Sequence, residues 1–372
     1  MTTALDVIGP WPETVGHPVV AQVRLAVDRI AVEAQAIDVD GVSRGHTDAL
    51  AYRGFFGANV STSRGGAGAP ASVGREIVEL LAAASGAVWF VATQHRSPME
   101  AALTTQNAAL AERWAADLVS GRSLGAVAFA HLRRRGDPAV RATRVPGGWQ
   151  ISGSLDWVTS WGIADVLLLM AQTDDGNVVQ VLIPAVERPG LVVTGPLALA
   201  AMSATSTVGV WLDKVVVNDD EVAALVPRDD WLAVDAQRTA NTSPAIFGLM
   251  RAALGDLNRL GVERSQRAAV AAAQAFADQV IPLRERVYGL IDGVAPEEAL
   301  DERVRLRAHS LELLQRVTAA RVTAQGGAAM MLLSPAQRWA REAMFHLVQA
   351  QTQPLREALL ADLATMDERR HR

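Results

Sequence analysis

The residues best placed to do chemistry fall in one stretch, Gly148 to Thr173 (GWQISGSLDWVTSWGIADVLLLMAQT). It reads as strand, turn, strand. Trp157-Val158-Thr159-Ser160 closes the second strand ahead of a break at Gly162, and Val166 to Met170 is a short apolar run typical of a buried strand. A Trp beside a Thr at a strand end offers a flat stacking surface and a hydroxyl donor. That pairing suits a planar heteroaromatic ligand whose ring nitrogens need one or two fixed hydrogen bonds. Taken alone, the pair has a plainer reading as a core Trp with a strand-end Thr.

Composition narrows what that stretch can belong to. The chain has 372 residues, which is long for a single core and suggests two or three domains. Half of it is apolar, a fifth is charged and the net charge is −5, so there is no electrostatic footprint for nucleic acid or an anionic membrane. Cysteine is absent, which excludes disulfides, thiolate nucleophiles and Cys-ligated metals. No basic segment followed by an apolar run opens the chain, and the uncharged stretch from Pro189 to Leu212 is broken by Gly and Pro. A cytoplasmic protein is expected.

Three zones must position the Trp and Thr. Residues 1–121 read as helical: Val23, Ala26, Ile30, Ala34 and Ile37 lie on one helix face, a second helix spans Val73 to about Ala84, and a third runs from about Met99 to Leu118. Ser120-Gly121 marks the end of the third. Residues 122–226 switch to short apolar runs separated by turns such as Pro146-Gly147-Gly148 and Asp174-Asp175-Gly176-Asn177, which predicts a compact antiparallel β-barrel-like domain. Residues 227–372 return to helical spacing in four long segments, about 230–261, 263–291, 296–325 and 335–367, which predicts a four-helix bundle. Ser334-Pro335-Ala336-Gln337 reads as a capping box, and the tail Asp367 to Arg372 as a frayed end. The class is α+β multidomain: helical, then β, then a helical bundle.

That order and several local sequences resemble the acyl-CoA dehydrogenase family. Gly153-Ser154-Leu155-Asp156-Trp157-Val158-Thr159-Ser160 is similar to the family's G-x-K-x-W-I-T-N. Gln325-Gly326-Gly327, Pro335, Arg341-Glu342-Ala343 and Thr352 follow its GG…P…RDA…EGT run, and Met202 to Val217 looks like the segment that closes its β domain. The resemblance implies FAD between the β domain and the bundle. It implies an acyl-CoA oxidised by removal of a proton to a carboxylate base with hydride transfer to flavin N5, in a homodimer or tetramer or with a heteromeric partner subunit. By position it implies that Trp157 packs on the flavin, that Thr159 donates to its N5/O4 edge, and that Phe129, Ser160, Gly326, Gly327 and Thr352 contact the cofactor. Gln237, Arg238 and Asn241 would face substrate.

The departures bear on the reaction. Where the family has its catalytic glutamate this chain has Ala350, and at the alternative base position, just before an Arg, it has Gln237; neither accepts a proton at neutral pH. The loop T-E-P-x-A-G-S-D becomes Ala130 to Asp137 with three arginines, Arg133-Arg134-Arg135, which read as a solvated loop. The segment that binds FAD pyrophosphate is shortened between Leu260 and Ala269, and Thr323 stands where a Gln is expected. Three readings result. The first is an acyl-CoA dehydrogenase-like oxidoreductase whose base comes from elsewhere, Glu342 or Asp235, although Glu342 reads more simply as a helix salt bridge. The second is a reduced-flavin monooxygenase similar to the dibenzothiophene-type enzymes. It would bind FMN, with a protonated His95 stabilising the oxygenated flavin, and His131 and His346 have weaker claims. The third is a subunit that has lost flavin. The first is favoured.

Overall fold

The computed structural model describes residues 6–364; the charged tail lies outside them. Six helices come first: α1 (Pro18–Asp40), α2 (Arg44–Tyr52), α3 (Ala71–Ala84), α4 (Gly86–Gln94), α5 (Arg96–Thr104) and α6 (Ala108–Ser120). In α1 Pro18 occupies the first turn, His17 caps it by accepting from the Val19 N–H, and Val23, Ala26, Ile30, Ala34 and Ile37 are buried along one face. The single helix expected over Met99 to Leu118 is two. Asn107 interrupts it, capping α6 through the Leu110 N–H and sending its amide N–H group to the carbonyls of Asp219, Asp220 and Val222. The break therefore docks the helical domain onto the β domain. Gly121, at φ 76°, ends α6 in the left-handed conformation its position implies.

Eight strands follow: β1 (Gly125–Ala128), β2 (Val140–Val145), β3 (Gly148–Val158), β4 (Val166–Thr173), β5 (Asn177–Pro184), β6 (Leu191–Val193), β7 (Val208–Asn218) and β8 (Val222–Pro227). Seven lie in the order β6-β7-β3-β2-β4-β5-β8, and β1 pairs with β4. The hairpins β2–β3 and β4–β5 form at the two expected turns. The sheet is not purely antiparallel, because β1 and β2 both run parallel to β4. The apolar runs at 208–212 and 215–217 join as the one strand β7, with Lys214 at φ 51° where the register with β3 shifts.

The bundle comprises α7 (Arg228–Ala240), α8 (Pro244–Glu263), α9 (Arg267–Gly293), α10 (Leu300–Gln325), α11 (Pro335–His346) and α12 (Gln353–Ala364). Two of the four expected helices are broken. The first stops at Asn241 and restarts where Ser243 Oγ caps α8 with Pro244 at its first position. The last is interrupted over residues 347–352. α10 starts at Leu300, not Pro296, after Ala299 at φ 54°. Ser334 makes no cap bond, and the Gln337 side chain instead donates to the Leu332 carbonyl, so the expected capping box does not form.

The N-terminal domain meets the bundle along α3 and α8. A side chain at Gly248 would meet the Glu79 carbonyl at 2.2 Å, so the two backbones approach as closely as glycine allows. Beside that contact lies a fully buried network. Glu76 accepts from Arg251 (2.9 Å), Arg284 (3.3 Å) and the Trp11 N–H (2.9 Å), and Glu79 accepts from Arg284 (2.8 Å) and the Tyr288 hydroxyl (2.5 Å). Asp6 accepts from Arg251 and Gly9 O from Arg284, so residues 6–11 are tied to it. Burial and the neighbouring Glu76 push Glu79 up to about 7, against the pull of Arg284. No described helix is long and apolar enough to cross a membrane, and no described group of three His, Asp or Glu could hold a metal.

Candidate functional site

β3, an interior strand, delivers Trp157, Thr159 and Ser160 at its C-terminal end. Trp157 is 55% exposed, so it is not a core indole. Thr159 is 4% exposed and its hydroxyl lies 2.9 Å from Thr207 Oγ1. Ser160 is fully buried at φ 70°, and its N–H is bound to the Thr205 carbonyl at 3.0 Å. Its hydroxyl has no hydrogen-bond partner among the described residues. An exposed π face next to a buried, unspent hydroxyl can take a planar ring with polar edges.

A second group gathers where the two helix breaks of the bundle meet the arginine loop. Arg133 grips Asp235 of α7 with two bonds of 2.7 Å, and Phe129 packs edge-on against Trp231 at 5.8 Å. Arg134 pairs with Asp156, so two of the three loop arginines are in ion pairs; the expectation of a wholly solvated loop is corrected. From α10, Arg307 donates to the carbonyls of Thr239, Gln349 (2.8 Å) and Ala350 (3.3 Å). One turn earlier, Arg303 donates to Asn241 Oδ1 at 2.7 Å and to the carbonyls of Leu290, Val294 and Ala295. Arg307 is buried without a carboxylate bonded to it, and burial, then the charge of Arg133, lowers it to about 10. Burial and Arg307 push His346, whose ring lies tilted 5.0 Å from Trp89, down to about 3.

The expected substrate-facing residues divide. Asn241 is spent on Arg303 and on the Gln237 carbonyl, so it acts as a helix-stop staple. Arg238 pairs with Glu100 on α5 at 3.1 Å. Gln237 is half-buried on the same turn. Thr352 accepts from the Leu355 N–H at the start of α12. Gly326 ends α10 at φ 73°, and both Gly326 and Gly327 face open space.

Two base candidates and the histidine need correction. Glu342 is buried and accepts from Arg338 (2.7 Å) and from the Gly86 N–H (3.1 Å), the salt bridge its spacing suggested. Asp235 has both oxygens on Arg133. His95 is 1% exposed; its Nε2 bonds the Leu118 carbonyl at 2.8 Å and its Nδ1 accepts from Gly125 at 3.1 Å. Burial holds it down to about 4, so the protonated, ligand-facing imidazole expected from sequence is not what the fold builds. His131 is buried as well and lowered to about 4. The clamps Arg303 and Arg307 were missed: nothing in the spacing of their helix separates them from Arg305.

An open groove of about 660 Å³ on the β domain is lined by Arg144, Trp149 and Asp219. It shares no residue with either group, its Arg144 is already paired with Asp219, and Asp220 adds a further carboxylate to the lining.

No family model matches the chain. It is 26% identical to benzylmalonyl-CoA dehydrogenase of Aromatoleum aromaticum, over 91% of this chain and 94% of that protein. Butyryl-CoA dehydrogenase from Megasphaera elsdenii superposes with a TM-score of 0.75 at 18% identity, covering 94% of this chain and 98% of that one. Dibenzothiophene monooxygenase from Paenibacillus sp. A11-2 superposes with a TM-score of 0.74 at 19% identity, covering 92% and 96%.

Proposed function

From the premise that this chain is a divergent relative of the acyl-CoA dehydrogenases and carries their fold, we propose that it is a flavin-dependent oxidoreductase of the monooxygenase kind, working with reduced flavin and oxygen. The observation that carries this reading is the state of the carboxylates. By the family resemblance Ala350 and Gln237 stand at the base positions; of the two stand-ins, Asp235 has both oxygens on Arg133, and Glu342 is paired with Arg338 through Oε1 and sealed from the surface. Dehydrogenation of an acyl-CoA needs a base free to take the α-proton; oxygen transfer from a reduced flavin does not.

The residues fit a flavin. Trp157 presents its face for stacking, Ser160 has a hydroxyl to give, and Gly326 and Gly327 leave room for backbone approach to a nucleotide. When bound, the flavin supplies the redox chemistry. The chain orients it: Trp157 and Thr159 fix the ring, while Arg307 and Arg303 hold the loop at Ala350 and the α7–α8 break that would frame the substrate. FAD and FMN share the ring, so both are probes. The exposed run Met330 to Leu333, each residue 65–72% accessible, supports assembly as a homo-oligomer.

A second reading, dehydrogenation of an acyl-CoA, is favoured by the 26% identical relative. One experiment separates them. The flavin-loaded protein is mixed anaerobically with a panel of straight-chain, aryl and dicarboxyl acyl-CoAs. It is then supplied with a flavin reductase, oxygen and a panel of sulfur- and nitrogen-bearing aromatics, with products followed by mass spectrometry. An oxygenated product with no anaerobic bleaching is expected; bleaching by any acyl-CoA overturns the monooxygenase reading.

A further inference from the structure

Asp6, Glu76 and Glu79 set three carboxylates against two guanidinium groups at the joint between α3 and α8. Arg251 donates to Asp6 at 2.6 Å and to Glu76 at 2.9 Å, and Arg284 donates to Glu79 at 2.8 Å and to Glu76 at 3.3 Å. A third cation, Arg75, lies over the Tyr288 ring but is spent on Asp292 through two bonds. The elements packed around Glu79 bring no other charge to it. α4 has no charged side chain, and Glu13 and the charged side chains of α1 are exposed, save Asp38, which accepts from Arg341. The remaining charged side chains of α8 and α9 are exposed or paired elsewhere. Within the group, Glu79 Oε2 accepts no hydrogen bond among the described residues, because Arg284 Nη2, 2.8 Å away, directs its bond to Glu76.

The segment 6–11 supplies the odd charge. Its ties run to the same group: Asp6 to Arg251, the Gly9 carbonyl to Arg284 at 3.2 Å, and the Trp11 N–H to Glu76 at 2.9 Å. With the segment lifted away, Glu76 and Glu79 balance Arg251 and Arg284; with it docked, one negative charge is left over in a dry joint. Such a charge is costly, and a proton on the free carboxylate oxygen cancels it. We infer that residues 6–11 are a proton-gated strap: a proton on Glu79 holds the strap closed over the α3–α8 joint, and loss of that proton loosens it. Burial lifts Glu79 to about 7 against the pull of Arg284, which puts the gate near neutral pH. The closed strap binds the extra proton, so closure is strongest in mild acid and weakens as pH rises through about 7.

The test is hydrogen exchange of the whole protein, read by mass spectrometry over residues 6–15 at pH 5.5, 6, 7 and 8 and corrected for the intrinsic pH dependence of exchange. Opening of the wild-type strap should increase on the order of tenfold per pH unit up to about pH 7 and level off above it. Asp6→Asn removes the odd charge and Glu79→Gln imitates the protonated form, so in both variants opening should stay level across that range. Should Glu79→Gln not fold, Asp6→Asn carries the test. The buried face of α8, read in the same spectra, should not share the rise. A level wild type, a slope that persists in Asp6→Asn, or a rise common to the strap and α8 overturns the inference.

Discussion

Arg307 donates to the carbonyl of Ala350 at 3.3 Å, placing a buried guanidinium against the loop between α11 and α12. The same guanidinium holds the carbonyls of Thr239 and Gln349, so it closes the C-terminal end of α7 and the 347–352 loop with one side chain. A cation at such ends is favoured by the helix dipoles as well as by the carbonyls themselves.

Removing that clamp should loosen both breaks together. Arg307→Ala is expected to cost about 2–4 kcal/mol, from several buried bonds to a charged donor and carbonyls left unsatisfied. Urea unfolding measures the cost, and hydrogen exchange should show residues 239–243 and 347–352 opening in step. Exchange confined to one segment would refute a shared clamp.

Trp157→Ala should separate ligand contact from packing. More than half exposed, the indole contributes little to the core, so the melting temperature should stay within about 2 °C of wild type. Flavin affinity should fall on the order of tenfold, as one aromatic stacking partner is lost. Unchanged affinity would remove this residue from the site.

Acid should unfold the protein early. His95, His131 and His346 are held neutral by burial, near 4, 4 and 3, against about 6.5 when unfolded. Between those values the unfolded chain binds more protons, so their contribution is complete above about pH 6.5 and is lost as pH falls. Each withdraws about 2 kcal/mol by pH 5. Glu79 works in the opposite sense: raised to about 7, it contributes below about pH 4.5 and its share is lost as pH rises through 7, which places the optimum close to neutrality. Denaturant titrations at pH 7.5, 6 and 5 should show falling stability, with a shallower slope in His95→Gln. A flat profile would contradict the burial argument.

Self-association should depend on the apolar run after α10. Light scattering is expected to give a dimer or tetramer, and Met331→Glu with Leu332→Glu should shift the mass downward. Wild type that stays monomeric at tens of micromolar would end this proposal.

Much of the architecture was legible because it is written in periodicity: the buried face of α1, the two hairpin turns and the Gly121 stop are local signals that the packed structure keeps. The helix breaks were legible only in part. Ser243-Pro244 carries the same cap-and-proline chemistry that was credited at Ser334-Pro335, yet the first of these caps a helix through its hydroxyl and the second does not. Asn107 looks like any polar helix residue until its three carbonyl partners, more than a hundred positions away, are in place. The site was legible in Trp157 and Thr159 as residue types. The partner of Thr159's hydroxyl was not, because Thr207 sits in a loop that only the fold brings alongside. His95 misled for a related reason: a lone imidazole gives no sign that two backbone groups will claim both its nitrogens.

The hold that Glu76 and Arg284 keep on Trp11 and Gly9 has a practical edge. Those contacts make residues 6–11 a plug over a buried, paired charge network. Shortening the expressed chain past Trp11 would let water reach two guanidinium groups and two carboxylates that the interior was shaped to keep dry. Trimming there would loosen the joint between α3 and α8 from within.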